Sequence, residues 1–302
     1  MNCDINIPII FGASGFIGQH FIKEVGLDRC LPVSRTHQKH TSWIKADLLN
    51  VTSILSVLKP DMTVINLAYS NELSSADNIK MAENLSQACL LTKVKRLVHC
   101  STAVVVGRNP SYIVNEETKC LPETMYEKTK CEIENIFLKA ACRDFSVRIL
   151  RPTGVIGPNG QNLKKLLSEI RYRNSFVNVI RSSLYGKRRL NLVPAKDVVN
   201  ALLHLSQLPS DTSGIYICAA DDDQDNNYHC VELLMRAVLN KPFKIRPIHL
   251  SQHILNMLLH LSRSGCGRVA NRYYSSEKLF STGFRRSMTV SEAVKQFVLS
   301  EI

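Results

Sequence analysis

The sequence predicts an α/β protein built on a doubly wound parallel sheet, and three observations predict it. A short apolar run, Ile5 to Phe11, ends in Gly12-Ala13-Ser14-Gly15-Phe16-Ile17-Gly18, which sets three glycines at three-residue spacing. Behind the glycines the apolar positions change to helical spacing, at Phe16, Ile17, Phe21, Ile22 and Val25. Strand-length apolar runs then alternate with helical patterns as far as Ala219, the rhythm of parallel strands joined by crossover helices.

Taken in order, Ile5 to Phe11 reads as a buried strand and Cys30 to Val33 as a second, ending at Ser34-Arg35. Trp43 to Ala46 is a third short strand and leads into Asp47-Leu48. Val51 to Leu58 has helical spacing and stops before Pro60. Thr63 to Ala68 is a fourth strand, Asn78 to Thr92 a helix, and Val94 to Cys100 a fifth strand that ends at Ser101-Thr102. The polar stretch Arg108 to Thr124 reads as a loop leading to a helix from Tyr126 to about Cys142. Phe145 to Leu150 is a sixth strand, closed by Arg151-Pro152-Thr153-Gly154 and Gly157-Pro158-Asn159-Gly160.

Beyond that point the alternation breaks. Asn162 to Tyr172 reads as a helix, Leu190 to Val193 as a strand, Asp197 as the cap of a helix to Leu208, and Gly214 to Ala219 as the last strand of the main sheet. Apolar helices are expected over Leu250 to Leu261 and Val290 to Leu299. The division expected is a dinucleotide-binding core over residues 1–155, completed by about 190–220, with 156–189 and 221–302 forming a smaller substrate-binding region.

Composition narrows the class. The chain has 302 residues, 45% hydrophobic and 21% charged, ordinary values for a soluble globular protein with a large core. Its ten cysteines make no CxxC pair and no close Cys/His group with zinc spacing. Reduced thiols in a cytoplasmic protein, with no bound metal, are the expectation. No apolar run approaches the ~18 residues of a membrane span. The net charge of +12 suits an anionic partner, but the basic residues form no stripe; the densest cluster is Lys187-Arg188-Arg189. Nucleic acid, anionic lipid or a small anionic substrate could each be drawn to such a surface, and a generally basic soluble enzyme is expected rather than a nucleic-acid binder.

Strand, glycine turn and helix together suit a dinucleotide. The first glycine permits a tight turn, the second a close backbone approach to the pyrophosphate, and the third close packing of helix on strand. The end of the second strand faces the adenosine ribose in such sheets. An acid there would bind a 2′-hydroxyl; Arg35 with no acid favours a 2′-phosphate, hence NADP, with NAD as the other cofactor. Tyr126 and Lys130 stand four apart on one helix and so share a face. A nearby ammonium and an oxidised nicotinamide ring favour a phenolate, bringing a tyrosine into acid/base range. Thr102, at the C-terminal end of the fifth strand, stands where ligands bind in open α/β sheets.

In this order the motifs resemble the extended short-chain dehydrogenase/reductases, the Rossmann-fold family of NAD(P)-dependent sugar epimerases, dehydratases and reductases. The likeness runs from about Ile5 to Ala219. It comprises the three glycines, Asp47-Leu48, Asn66-Leu67-Ala68, Ser101-Thr102 with Gly107, and Glu116 and Pro122. It continues with Tyr126-x-x-x-Lys130, Arg151-Pro152, Gly157-Pro158 and Asp197-Val198. The resemblance implies a cofactor seated on Gly12, Ser14, Gly15, Phe16, Ile17 and Gly18. Asp47 and Leu48 would contact the adenine, Leu67 and Ala68 would line the channel, and Pro152 to Val155 would pass beside the nicotinamide. Thr102 would polarise the substrate oxygen, Tyr126 would move its proton, and Lys130 would hold the nicotinamide ribose. Either Arg188 or Arg189 would bind the diphosphate of a nucleotide sugar. Ala103-Val104 stands where the family's dehydratases carry Asp-Glu, which argues against dehydration, and Val106 departs from the usual epimerase pattern. The implied activity is an oxidoreductase on a nucleotide-activated 4-keto sugar, in a homodimer. An epimerase that keeps its cofactor and a non-catalytic NADP-sensing regulator are the alternatives.

Overall fold

The computed structural model describes residues 7–36, 43–173, 175–209, 212–243, 247 and 271–302. The helix expected over Leu250 to Leu261 lies outside the described residues. The strands of the main sheet are β1 (Ile9–Phe11), β2 (Leu31–Ser34), β3 (Ile44–Lys45), β4 (Thr63–Asn66), β5 (Arg96–Cys100), β7 (Ser146–Pro152) and β10 (Gly214–Cys218). They pair in parallel throughout, in the order β10-β7-β5-β4-β1-β2-β3. The chain winds outward in both directions from the β1/β4 pair, and ligands in such sheets bind at this reversal, beyond the carboxyl ends of the strands.

Period-two alternation decides what lies on each face of the sheet. In β1, Ile9 and Phe11 join a core with Leu85, Ile133 and Phe137, whereas Ile10 joins a second core with Phe21, Val198 and Leu202. The first face is covered by α2 (Val51–Leu55), α3 (Ser75–Leu91) and α4 (Met125–Ala140), the second by α1 (Phe16–Val25) and α7 (Ala195–Gln207). Burial on both faces is why these strands read as continuous apolar runs.

A third core lies beyond the sheet. It joins Leu166 and Ile170 of α5 (Lys164–Tyr172), Val231 and Met235 of α8 (Tyr228–Val238), and Val294 and Phe297 of α10 (Val290–Ser300). Two small parallel pairs complete the described elements, β8 (Gly154–Ile156) with β9 (Leu192–Pro194) and β6 (Ile113–Val114) with β11 (Tyr273–Tyr274). Helices α6 (Ser175–Tyr185) and α9 (Glu277–Ser281) also lie in this second half. No helix among the described residues is long and apolar enough to cross a membrane.

Asp197 differs from its expected role. The cap position of α7 is Pro194, and Asp197 is fully buried in the first turn, where its Oδ1 accepts from the backbone N–H (2.7 Å) and hydroxyl (3.0 Å) of Ser287. It ties α7 to the segment that leads into α10.

Candidate active site

The glycine turn is fixed by steric necessity. Gly12 has φ +80°, and a Cβ there would stand 2.6 Å from the backbone nitrogen of Ala68. A Cβ on Gly18 would stand 2.5 Å from the carbonyl oxygens of Gly12 and Ala13. The turn therefore closes against β4 and against its own helix only because side chains are missing. Gly15 occupies the N-cap of α1, and no side chain of the described residues caps it. The first N–H groups of α1 are thus free to meet an anion, as a pyrophosphate site requires.

Two cavities meet at this turn and share Gly12, Gly15, Leu67 and Tyr69. The first, about 300 Å³, is lined also by Ser14, Arg35, Asp47, Leu48 and Ala68. The second, about 560 Å³, is lined also by Phe16, Ile17, Gly18, Thr102, Tyr126, Pro152 and Val155. The expected adenosine half and nicotinamide half of a dinucleotide site are therefore continuous along the carboxyl edge of the sheet. The residues present fit such a cofactor: Gly12 and Gly15 line both cavities and bring no side chain into them.

Each candidate catalytic side chain is positioned by an identifiable local device. Thr124 and Glu127 form a reciprocal capping box that fixes the start of α4. Tyr126 falls in the first turn of that helix and Lys130 one turn later. Further along α4, Glu134 grips Arg151 of β7 in a buried bidentate pair, with Arg151 Nη2 2.5 Å from Glu134 Oε2. Breaking so buried a pair typically costs about 3–5 kcal/mol, so the helix is held against the sheet. Thr102 caps the short helix Ala103–Val106, accepting from the Val104 N–H at 3.4 Å.

Lys130 is buried; its ammonium reaches the carbonyl of Cys100 at 3.4 Å and lies 4.6 Å from the centre of the Tyr69 ring. Burial lowers its pKa. Tyr69 in turn meets Tyr126 edge-on at 5.2 Å between ring centres. Burial, and then Cys100 and Tyr69, push the Tyr126 phenol up to about 12, against a hydrogen bond from Thr102 that pulls it down. Tyr126 remains 39% exposed as a residue. The phenol is accordingly protonated at neutral pH, contrary to the expectation that Lys130 would favour the phenolate, and is suited to donate a proton.

The two candidate arginines part company. Arg189 is half-buried and lines a third cavity of about 620 Å³ with Tyr112, Asp221, Asn226 and Tyr273. Its Nη1 donates to Tyr112 Oη at 2.9 Å, and its guanidinium lies 5.1 Å from the Tyr273 ring centre. Arg188 is exposed and stacks over Tyr185 instead. In the same cavity burial raises the Asp221 carboxyl to about 6, although Tyr274 N and Asn191 Nδ2 both donate to it. Tyr69, Asn71, Gln161 and Asn162 also line the central cavities without having been singled out in the sequence. Only the Thr124-x-x-Glu127 spacing carried a readable local signal among the residues missed, that of a capping box.

Comparison with known proteins agrees with this geometry. Residues 9–219 match the NAD-dependent epimerase/dehydratase family, and the chain belongs to that family. No protein of curated function matches the sequence. Among solved structures, MoeE5 in complex with UDP-glucuronic acid and NAD is 22% identical, with 97% of this chain and 98% of that one covered and a TM-score of 0.70. RMD from Pseudomonas aeruginosa complexed with NADPH is 18% identical, with 97% of each chain covered and a TM-score of 0.69. UDP-N-acetylglucosamine 4-epimerase from Methanobrevibacter ruminantium M1, in complex with UDP-N-acetylmuramic acid, is 18% identical over 98% of each chain, with a TM-score of 0.72. At these identities the likeness shows the fold.

Proposed function

We propose that the protein is an NADP-preferring oxidoreductase that reduces a keto group of a nucleotide-activated sugar. One observation carries this reading: Thr102 and Tyr126 line the same cavity as the glycine turn, with Lys130 buried directly behind. A bound nicotinamide supplies the hydride for the substrate carbon. The Thr102 hydroxyl holds the carbonyl oxygen, and the Tyr126 phenol donates its proton to that oxygen as charge develops on it. Lys130 places its ammonium beside the Tyr69 ring, which lines this cavity. Val104, apolar and lining the cavity, offers no group to protonate a leaving hydroxyl.

NADP preference rests on Arg35, whose side chain borders the adenosine cavity beside Asp47. The substrate reading rests on Arg189 in the third cavity and on the sugar nucleotides bound by MoeE5 and the 4-epimerase. The third core and the residues that line this cavity would form the substrate-binding region. Leu90 and Leu91, exposed at the end of α3, support pairing of two copies into a homodimer.

Cofactor accounting tests the reaction. The purified protein is expected to carry little bound nucleotide and to consume one NADPH for each nucleotide 4-keto sugar reduced. NAD that co-purifies tightly, together with sugar interconversion needing no added cofactor, would make the protein an epimerase instead.

A further inference from the structure

Beneath the glycine turn, two buried polar side chains meet across neighbouring strands. The parallel register of β4 and β5 pairs Asn66, the last residue of its strand, with His99, the last but one of its own. Both side chains are buried, and Asn66 Nδ2 lies 3.2 Å from His99 Nδ1. Asn66 Oδ1 accepts the backbone N–H of Ala68 at 3.1 Å. That same Ala68 nitrogen is the atom a Cβ on Gly12 would meet at 2.6 Å. Beside it the Leu67 N–H donates to the Phe11 carbonyl at 2.9 Å. The Asn66 amide therefore stands at the root of residues 67–69, of which Leu67 and Tyr69 line both central cavities.

These hydrogen bonds fix which way round the amide stands and which imidazole nitrogen carries the proton. The Ala68 N–H can only donate, so Oδ1 faces it and Nδ2 faces His99. An amide NH2 can only donate in turn, so Nδ1 accepts and the proton of the neutral ring sits on Nε2. A ring in this form opposes rotation of the amide. Turned by half, Asn66 would set Oδ1 against the Nδ1 lone pair and Nδ2 against the Ala68 N–H. The ring itself is held, since it is completely buried and packs on Phe137 of α4 with ring centres 5.0 Å apart. Burial, and then the Lys130 ammonium, lower its pKa well below the ordinary value against the opposing effect of the Asn66 bond. The imidazole is therefore neutral.

We infer that His99 is a positioning residue: by accepting from Asn66 it holds the amide that holds Ala68, and so fixes residues 67–69 against the glycine turn. It lines neither central cavity and acts only through Asn66. Its bearing on cofactor binding rests on the reading of those cavities proposed above. Without the acceptor, a buried N–H is left unsatisfied and the amide is free to turn.

Three measurements on the whole protein test this. Near neutral pH, 15N spectra of wild-type protein labelled at histidine should show His99 with a bare Nδ1 and a protonated Nε2. A proton on Nδ1 would overturn the inference. Hydrogen exchange of the cofactor-free protein should speed up about 10-fold in the peptide carrying Ala68 in His99→Leu. It should return close to the wild-type rate in His99→Asn, whose Oδ1 can stand where Nδ1 stands. NADPH affinity, read by fluorescence titration, should fall about 10-fold in His99→Leu and recover to within about threefold in His99→Asn. Unchanged exchange and affinity in His99→Leu would overturn the inference, as would losses of the same size in both variants. Exchange needs no cofactor. If it follows the expected pattern while wild-type protein binds neither NADPH nor NADH, the His99–Asn66 link stands and the cofactor reading falls. The wild-type spectra decide the question even if neither variant folds.

Discussion

The ammonium of Lys130 sits 4.6 Å from the centre of the Tyr69 ring, and the carbonyl of Cys100 is its hydrogen-bond acceptor, at 3.4 Å. A buried cation needs such company, because desolvation alone disfavours its charge. Tyr69 thus serves two neighbours, facing the ammonium with its ring and meeting the edge or face of Tyr126. With Gly12, Gly15 and Leu67 it lines both of the cavities that meet at the glycine turn.

Tyr69→Leu is therefore expected to lower kcat. A desolvated cation–π contact contributes about 0.5–2 kcal/mol, which corresponds to a loss of about 2- to 30-fold. Tyr69→Phe keeps the ring and should stay within about twofold of wild type. Equal losses in both variants, measured under saturating NADPH, would show that the hydroxyl and not the ring matters.

Arg35 sets the second expectation. A charge-assisted contact with a 2′-phosphate contributes about 1.5–3 kcal/mol, so NADPH should bind more tightly than NADH by that margin. Arg35→Ser should weaken NADPH and leave NADH nearly unchanged, as read by fluorescence titration. A retained preference in that variant would make Arg35 a surface cation only.

The third cavity separates two adjacent arginines. Arg189→Ala should raise KM for a nucleotide sugar by about 10-fold or more, the scale of losing a charge-assisted contact to a diphosphate. Arg188→Ala should change it little, since Arg188 stacks on Tyr185 outside the cavity. The reverse ranking in steady-state kinetics would place the diphosphate elsewhere.

Tyr126 gives a pH expectation whose sign follows from its role. A proton donor works below its pKa, and burial holds this phenol at about 12. The kcat/KM for keto-sugar reduction should therefore show no alkaline loss traceable to Tyr126 between pH of about 7 and 10. An alkaline limb near pH of about 8 that vanishes in Tyr126→Phe would show that the phenol titrates far below this value in the working site, although it would still identify Tyr126 as the donor.

Why parts of this arrangement were readable from the chain and others were not has physical causes. Buried on both faces, β1, β4 and β5 are short apolar runs, and the first ends at Gly12, whose position has a steric reason. The Tyr126-x-x-x-Lys130 spacing needs only helical geometry to put both groups on one face. By contrast, β6 and β11 are two residues each and meet across a long separation in sequence, so neither carries a local pattern. Asp197 looked like a cap because an acid near a helix start does so; its true partner, Ser287, lies 90 residues away. Tyr69 stood in the sequence as one aromatic residue after Ala68, and its contact with Lys130 exists only once β4 and α4 converge. The choice between Arg188 and Arg189 likewise depends on the register of the segment after α6, which spacing alone left open.

Tyr126→Phe bears most directly on the proposed chemistry, since it removes one hydroxyl and little packing. Single-turnover mixing of NADPH-loaded protein with a nucleotide 4-keto sugar, followed by loss of nicotinamide absorbance, reads the step in question. Turnover should fall by at least about 100-fold, the scale of lost general acid catalysis, while NADPH affinity stays within about twofold. Near-normal NADPH oxidation by the Tyr126→Phe protein would mean that the proton comes from another group.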